Sequence, residues 1–360
     1  MEKYVYERDK KYLNKLRTEI IPSLPAFCED FFIGISSVTT VLTRFNYGTD
    51  LIVFFNYLVS DGAIFDGMNV RDITLSDLNT VKGKDIERFV DYIGGYYTVN
   101  GDFVKNSDKA KARKLSAVRS LFKYLYTHEL IGENVTTKVA MPKLREKEII
   151  RLENDEVQEV FELLDTESTF ISEQQNAYNN NNTKVRDNAI ITLLLGTGIR
   201  VSECVGLNLD DINFANKSFI VTRKGEKESI LYLNDEIIDA INAYLPVRKA
   251  QLEKKKISAE EVDALFLSLQ NKRITVRAVE IMVKKYAQIV TPLKKISPHK
   301  LRSTYGTALY RQTNDIYVVA EVLGHKDINT TKKHYAAISE DIKKSAADKV
   351  NFRKNSSTEE

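Results

Sequence analysis

The sequence contains very little cysteine. Two cysteines, Cys28 and Cys204, occur in 360 residues, and they fall in different predicted domains. This excludes a disulfide framework and a thiolate-rich zinc site, because both need several cysteines at defined spacings. Cys204 lies between Val201 and Val205 in a predicted helix, so we expect a buried small side chain there and not a nucleophile.

Long apolar runs are missing as well. No stretch approaches the roughly 20 apolar residues that a membrane-spanning helix requires. The first residues, Met-Glu-Lys-Tyr, do not follow the charged and then apolar layout of a signal peptide. We therefore expect a cytoplasmic protein without a membrane partner.

The chain also lacks a strong excess of charge of one sign. It has 53 lysine and arginine residues against 50 aspartate and glutamate residues, a net charge of +3. Many nucleic-acid binders show a strong basic excess, and this chain does not. A case for nucleic-acid binding must therefore depend on where the basic residues lie.

The length of the chain favours two domains. Apolar residues recur at helical spacing over residues 37–59, 83–93 and 107–129, which predicts a helical first half. A proline and several charges without an apolar period make residues 141–150 typical of an interdomain linker. The predicted divisions are an N-terminal extension 1–36, a helical domain 37–140, the linker 141–150, a second domain 151–350 and a polar tail 351–360.

The second half is predicted to be mainly helical with a small antiparallel sheet. Two β-branched runs on either side of Gly225 predict a hairpin over residues 219–233, and residues 264–268 are a candidate third strand. A helix is predicted from about residue 186 to residue 195, ended by the Gly196–Gly198 turn. The asparagine-rich stretch 166–184 is interpreted as a polar loop without an assigned function.

The helix predicted over residues 107–129 is rich in lysine and arginine. A solvated helix face is one interpretation of this pattern. The other is a helix that lies against DNA phosphates, where each contact releases counterions. On the second interpretation the candidate DNA-binding residues are Lys109, Arg113, Lys114 and Arg119.

Histidine is scarce, with four in the chain, and three of them lie close together near the C-terminus. A zinc site is disfavoured because Arg302, a cation, occupies the i+3 position from His299. A nucleotide site is disfavoured because the Gly196–Gly198 turn lacks the third glycine of a dinucleotide motif. What remains is a set of arginines, a lysine, histidines and a tyrosine.

This set of residue types suits phosphoryl transfer. Guanidinium groups bind phosphate oxygens in pairs and keep their charge at all relevant pH values. Two of them stabilise a five-coordinate phosphorus without a metal. Lysine and histidine move protons, and a tyrosine hydroxyl forms a phosphodiester intermediate that conserves bond energy.

In its motifs the sequence resembles the tyrosine recombinase (phage integrase) family. The first box of that family is present as Gly196-Thr-Gly-Ile-Arg200-Val-Ser-Glu203, and the hairpin lysine as Arg223-Lys224-Gly225-Glu-Lys227. The second box begins Ser297-Pro-His299-Lys-Leu-Arg302, continues as Leu323-Gly-His325 and closes on His334-Tyr335. All boxes occur in order and with fitting spacing.

The resemblance implies a role for each matched residue, with no metal and no cofactor. Arg200 and Arg302 match the phosphate clamp, and His325 donates to a nonbridging oxygen. Lys224 matches the general acid for the departing 5′ oxygen, with Lys227 as the alternative, and His299 handles the tyrosine proton. Tyr335 matches the nucleophile that forms a 3′-phosphotyrosyl link, and Glu203 a supporting acid that orients the cluster.

Two positions depart from the family pattern. Ser303 stands where the family often has histidine. The step from His325 to Tyr335 spans ten positions, where nine is also common, so the segment that carries the tyrosine is longer.

The resemblance also implies an architecture and a set of partners. It makes residues 37–140 the core-binding (DNA-binding) domain and residues 151–350 the catalytic domain. We expect a mainly α, two-domain, C-shaped clamp around double-stranded DNA, acting as a homotetramer on two recombination sites, with a C-terminal helix near 339–350 docked on a neighbouring subunit. The layout is most similar to Xer recombinases, in particular the single-protein type of Gram-positive bacteria. That type resolves chromosome dimers with a septal DNA translocase (FtsK-like).

Three other functions stay open at this point. An integrase or invertase of a mobile element uses the same chemistry. A catalytically silent DNA-binding protein and an unrelated metal hydrolase belong to different classes.

Overall fold

The computed structural model describes residues 2–98, 101–144, 149–165, 181–223, 227–253, 263–325 and 328. The chain divides into two compact units. One comprises residues 3–147, and the other comprises residues 148–360 together with residues 1 and 2. The predicted residues Lys224 and Tyr335, the predicted C-terminal helix 339–350 and the polar tail lie outside the described residues.

The N-terminal unit is built from helices and one short hairpin. Its α-helices are α1 Glu2–Lys15, α2 Cys28–Gly34, α3 Val41–Leu58, α4 Leu75–Leu78, α5 Gly83–Tyr92 and α6 Asp108–Thr127. Shorter helical turns are Leu16–Ile20, Ile21–Ser23, Val70–Asp72 and Val135–Lys138. Strands β1 Gly95–Tyr97 and β2 Phe103–Lys105 pair in antiparallel register.

Local sequence explains where the predicted helices begin. The Thr40 side chain accepts a hydrogen bond from the Thr43 amide at the start of α3, and Ser107 accepts from the Ala110 amide at the start of α6. Both are N-caps that satisfy an otherwise unpaired amide. The three helices predicted from periodicity are confirmed, each within a few residues of its expected bounds.

One apolar core fills the N-terminal unit. Phe54 lies at its centre, with ring contacts to Phe55, Phe89 and Phe122 at centroid distances of 5.3, 5.0 and 6.2 Å. Residues before position 37 belong to the same core, since the side chains of Leu16, Leu24, Phe31 and Phe32 are buried in it. The stretch expected as an extension is thus packed into this unit, because it supplies apolar side chains that α3 and α6 bury.

The second unit is mainly helical and carries a three-stranded antiparallel sheet. Its α-helices are α7 Asn154–Asp165, α8 Asn181–Thr197, α9 Val201–Gly206, α10 Asp235–Glu253, α11 Val276–Val290, α12 Pro298–Thr313 and α13 Ile316–Leu323. A 3-10 turn covers Leu209–Asp211, and the strands are β3 Ile212–Asn213, β4 Ser218–Arg223 and β5 Lys227–Tyr232. The predicted mainly α fold class with a small antiparallel sheet is confirmed.

The hairpin is confirmed, but its third strand was predicted at the wrong place. Strands β4 and β5 pair in register from Ser218↔Tyr232 to Arg223↔Lys227, and β3 is the outer partner of β4. Residues 264–268 form isolated bridges only, Asn208↔Ala264 and Leu267↔Arg273. Their apolar side chains are buried without a neighbouring strand of matching length.

Helix α8 is the central element of this unit. It packs against α10 and α12, and every residue from Ala189 to Leu195 is buried. A helix that is apolar on all sides is a core helix. It begins at Asn181, five residues earlier than predicted, so residues 181–184 are helical and the rest of the expected polar loop lies outside the described residues.

Both cysteines are buried, one in each unit. Cys204 has no exposed surface, as predicted for a small core side chain. Over the ranges that the structure describes, no helix has the length and apolar character to cross a bilayer.

Candidate active site

Arg200 and Glu203 form the first part of the site, at the turn between α8 and α9. Helix α8 ends at Thr197, and Gly198 adopts a left-handed backbone with φ +62°, which favours glycine. The Arg200 amide donates to Oε2 of Glu203 at 2.8 Å, and its Nη1 donates to Oε1 at 2.7 Å. Glu203 therefore caps α9 and orients the guanidinium.

Arg302 projects from α12 into the interior of the unit, where its residue is only 5% exposed. Its Nη1 donates to the Gly198 carbonyl at 2.6 Å, and its Nη2 donates to the Leu323 carbonyl. A buried cation needs partners to offset its desolvation. Arg302 thereby ties the turn before Arg200 to the end of α13.

The end of α13 positions His325. Gly324 is left-handed with φ +61°. Its amide donates to the Glu321 carbonyl and the His325 amide donates to the Ala320 carbonyl, both at 2.9 Å. This pair of bonds is a Schellman motif, which fixes the direction of the chain after a helix. The backbone of His325 is thus held directly beyond the helix, and its side chain is half-buried.

His299 lies in the first turn of α12 and is exposed. It precedes Arg302 by three positions, which places the two residues on the same side of the helix. The departure at Ser303 is accommodated within this helix, since its hydroxyl donates to the His299 carbonyl at 3.1 Å.

These contacts bring four predicted residues, Arg200, Glu203, Arg302 and His325, into one region of the unit. Arg200 Nη2 donates to the Gly324 carbonyl at 3.2 Å, and Arg302 Nη2 donates to the Leu323 carbonyl. Both guanidinium groups therefore lie beside the backbone that leads into His325. The hairpin that carries Lys224 is described up to Arg223 and from Lys227 onward. The roles of these residues, and that of Tyr335, remain predictions.

A third arginine in the site was missed by sequence reasoning. Arg223 Nη1 donates to the Glu321 carbonyl at 3.3 Å and Nη2 to the Val322 carbonyl at 2.7 Å. Burial lowers the pKa of its guanidinium, the charge of Glu203 raises that pKa and the charge of Arg200 lowers it. The available signal was its place directly before the predicted general acid, Lys224.

The site is therefore strongly cationic. Three guanidinium groups, of Arg200, Arg223 and Arg302, donate to carbonyls at the end of α13, and the buried carboxylate of Glu203 pairs with Arg200. Such an excess of fixed positive charge, partly removed from water, favours an anion and stabilises charge that develops on one.

The basic helix α6 divides into exposed and internal residues. Lys109 and Arg113 are exposed. Lys114 is only 6% exposed, and its Nζ lies 3.1 Å from Oδ1 of the buried Asp50. Arg113 Nη1 also contacts that carboxylate, 2.5 Å from Oδ2. Because Lys114 points into the core, its burial argues against the predicted phosphate contact.

Arg119 also has a partner inside the N-terminal unit. It is half-buried and its Nη2 donates to the Val139 carbonyl. DNA contact by α6 therefore stays a prediction that depends chiefly on Lys109 and Arg113.

Known proteins resemble this chain across most of its length. The sequence model of the phage integrase family matches residues 144–341. Tyrosine recombinase XerC of Caldanaerobacter subterraneus subsp. tengcongensis is 35% identical over 295 residues, which cover 79% of this chain and 75% of that protein. Tyrosine recombinase XerS of Streptococcus sanguinis is 34% identical over 330 residues, 86% of this chain and 90% of that protein.

A solved structure shares the fold. The XerH site-specific recombinase, in a pre-cleavage complex with its difH substrate, superimposes with a TM-score of 0.59 at 20% identity. The match covers 82% of this chain and 76% of that one.

Proposed function

This chain belongs to the phage integrase family and is a tyrosine recombinase, a site-specific DNA strand transferase, and on that premise we propose that Tyr335 is its nucleophile. The Tyr335 oxygen attacks the scissile phosphorus and loses its proton to His299. An O–P bond to tyrosine forms, the bond from phosphorus to the 5′ oxygen breaks, and Lys224 protonates the departing 5′ oxygen. The 5′ hydroxyl of the partner strand then attacks the 3′-phosphotyrosine and releases Tyr335.

The observation that carries this proposal is the cluster of three arginines, Arg200, Arg223 and Arg302, at the end of α13. The pentavalent phosphorus in the transition state bears extra negative charge on its nonbridging oxygens. Guanidinium groups recognise such oxygens through paired N–H donors in a fixed plane. Arg200 and Arg302 are already oriented by protein partners, so little reorganisation is needed when the phosphate binds.

We further propose an Xer-type role, the resolution of chromosome dimers. The support is that relatives named XerC and XerS align over 79% and 86% of the chain, respectively. In this proposal four copies of the chain act on two DNA sites, with a septal DNA translocase as a further partner. The exposed Lys109 and Arg113 of α6 contact the DNA backbone, where they contribute affinity but little sequence selectivity.

A plasmid resolution assay tests this role. Duplexes enriched from a random pool by the Tyr335→Phe protein, which should bind without cleaving, supply the site. A plasmid that carries two copies of this site in direct repeat is then incubated with the native chain. We expect conversion to two smaller circles, with Tyr335→Phe as the matched inactive control.

The result separates the candidate roles. Recombination between two identical sites supports the Xer-type role. Recombination that requires two different sites contradicts it and favours an integrase of a mobile element. Binding without strand exchange contradicts the enzymatic proposal and favours a silent DNA-binding protein.

A further inference from the structure

Arg223 connects the catalytic hairpin to the helix that precedes His325. It is the last described residue of β4 and is peptide-bonded to Lys224. Its Nη1 and Nη2 donate to the carbonyls of Glu321 and Val322 near the end of α13. These groups are 98 and 99 positions away in sequence, so the contact is a product of the fold.

Gly324 makes room for this side chain. A Cβ atom added to Gly324 would lie 1.5 Å from Nη1 of Arg223 and 2.5 Å from its Cζ. The guanidinium therefore fills the space that a side chain at position 324 would need. Glycine at this position serves two purposes, since it also adopts the left-handed backbone that ends α13.

Three arginines share the end of α13. The carbonyls of residues 321 and 322 accept from Arg223, that of residue 323 accepts from Arg302 and that of residue 324 accepts from Arg200. The last carbonyls of a helix have no partner within it and carry partial negative charge. The resemblance implies roles for Arg200 and Arg302, whereas it implies none for Arg223, which stands next to the hairpin lysine.

The hydrogen bonds of Arg223 do not satisfy its whole guanidinium. Its Nε is buried and has no hydrogen-bond partner among the described residues. Its two hydrogen-bond acceptors are neutral carbonyls, and the nearby charge of Glu203 offsets part of the cost of burying the cation. A half-buried arginine with an unsatisfied Nε, next to the predicted Lys224, is a candidate for a function in the site.

We propose that Arg223 is a positioning residue that anchors the end of β4, directly before the proposed general acid Lys224, to the helix end that leads into His325. Consecutive Cα atoms are about 3.8 Å apart, so an anchor at Arg223 restricts where Lys224 can reach. The same guanidinium holds the helix end that leads into His325. The inference rests on the proposed role of Lys224 as the acid for the 5′ oxygen.

The planar fork of arginine is essential to this role. Two nitrogens of one guanidinium reach two successive carbonyls at once, whereas the single ammonium group of lysine is a point donor. Arg223→Lys keeps the charge and loses the double contact. It therefore separates positioning from simple attraction of the phosphate.

Single-turnover cleavage of two matched DNA substrates tests the proposal. One is a nicked duplex of the enriched site with a normal scissile phosphate, and the other has a 5′-phosphorothiolate at that bond. The sulfur leaving group departs without a proton from an acid. The proteins compared are the native chain, Arg223→Ala, Arg223→Lys, Lys224→Ala and the control Arg277→Ala, whose side chain is exposed and contacts Glu280.

We expect Arg223→Ala to cleave the normal phosphate on the order of 10 to 100 times more slowly than the native chain, because a misplaced acid lengthens the proton transfer. The phosphorothiolate should be cleaved within about fivefold of the native rate, because no acid is needed there. Arg223→Lys should fall between the native chain and Arg223→Ala, and Arg277→Ala should match the native chain. Equal melting temperatures of the variants would exclude misfolding as the cause of slower cleavage.

Other outcomes overturn the inference. An equal defect of Arg223→Ala on both substrates assigns Arg223 to phosphate binding or to folding. A native rate for Arg223→Ala or Arg223→Lys shows that the double contact is unnecessary. If the phosphorothiolate restores the cleavage rate of Lys224→Ala but not that of Arg223→Ala, the positioning role of Arg223 fails and the proposed acid Lys224 stands. If the phosphorothiolate does not restore the cleavage rate of Lys224→Ala, Lys224 is not the acid, and the positioning role of Arg223 fails as a consequence.

Discussion

Nη1 of Arg302 donates a hydrogen bond of 2.6 Å to the carbonyl oxygen of Gly198. The two residues are 104 positions apart and belong to the two boxes that supply Arg200 and Arg302. Because Arg302 is buried, this bond forms where water cannot replace it. The same guanidinium that is proposed to bind phosphate thus also holds the turn that presents Arg200.

Arg302→Lys should therefore impair activity and stability together. A lysine keeps the charge but cannot reach both carbonyls, so at least one buried acceptor loses its partner at a cost of about 1–3 kcal/mol. We expect cleavage to slow by at least about 100-fold, since paired recognition of phosphate oxygens is lost as well. Single-turnover cleavage and urea unfolding measure the two effects.

A variant with less than a threefold loss of rate would contradict this account of Arg302. The control is Arg311→Lys, on the same helix, whose side chain is 42% exposed and contacts Glu153 at 3.6 Å. Arg311→Lys should change neither the cleavage rate nor the free energy of unfolding appreciably, because exposed ion pairs contribute at most about 1 kcal/mol to stability.

Gly324→Ala should destabilise the second unit through two separable effects. The left-handed backbone costs a non-glycine residue roughly 1–2 kcal/mol. The added Cβ also collides with the guanidinium of Arg223. In an Arg223→Ala background the collision is gone, so the loss in the free energy of unfolding should be smaller there. Equal losses in both backgrounds, measured by urea unfolding, would show that Arg223 does not occupy this space.

Asp50→Ala should strongly destabilise the N-terminal unit. The carboxylate is fully buried and pairs with Lys114 and Arg113. Its removal leaves the buried ammonium of Lys114 without compensation, which costs about 3–5 kcal/mol. The double variant Asp50→Leu with Lys114→Met should recover most of this loss, and the exposed Asp61→Ala is the control. Urea unfolding that shows a loss below about 1 kcal/mol for Asp50→Ala would contradict the buried pair.

The two cysteines should report on the two units separately. Burial raises the pKa of the Cys28 and Cys204 thiols, so the thiolate fraction at pH 8 falls, and the thiolate is the form that reacts. We expect no alkylation by iodoacetamide in the native protein and full alkylation after unfolding. Asp50→Ala should move the Cys28 transition to lower urea and leave that of Cys204 in place, as read by peptide mass spectrometry.

Native labelling of either thiol at the rate of free cysteine would show that it is accessible. A common shift of both transitions in Asp50→Ala would show that the two units unfold together.

Much of the fold could be predicted because it depends on local patterns. The apolar period of α3 and α6 and the caps Thr40 and Ser107 are visible in the sequence, as are the hairpin runs and the glycines that end α8. What could not be predicted depends on distant partners. Arg113 and Lys114 are neighbours on one helix, and only Asp50, more than 60 positions away, determines that Lys114 is buried. The outer strand β3 has two residues, too few to show an alternating pattern.

The same reasoning applies to the site. Arg200, His299, Arg302 and His325 are predicted from their motifs, because the proposed chemistry uses those side chains at those places. Arg223 bonds to backbone carbonyls, which every residue has, so no pattern of residue types points to its partners. Its role becomes apparent only when the end of α13 is seen beside the hairpin.

The most direct test of the central claim is to trap the covalent intermediate. The native chain is incubated in EDTA with a nicked suicide duplex of the enriched site, and the protein–DNA adduct is isolated and digested for mass spectrometry. We predict a DNA 3′-phosphate linked to the peptide that contains Tyr335, and no adduct with Tyr335→Phe on the same bound DNA. An adduct on another tyrosine, or cleavage that needs a divalent metal and leaves no adduct, would contradict it.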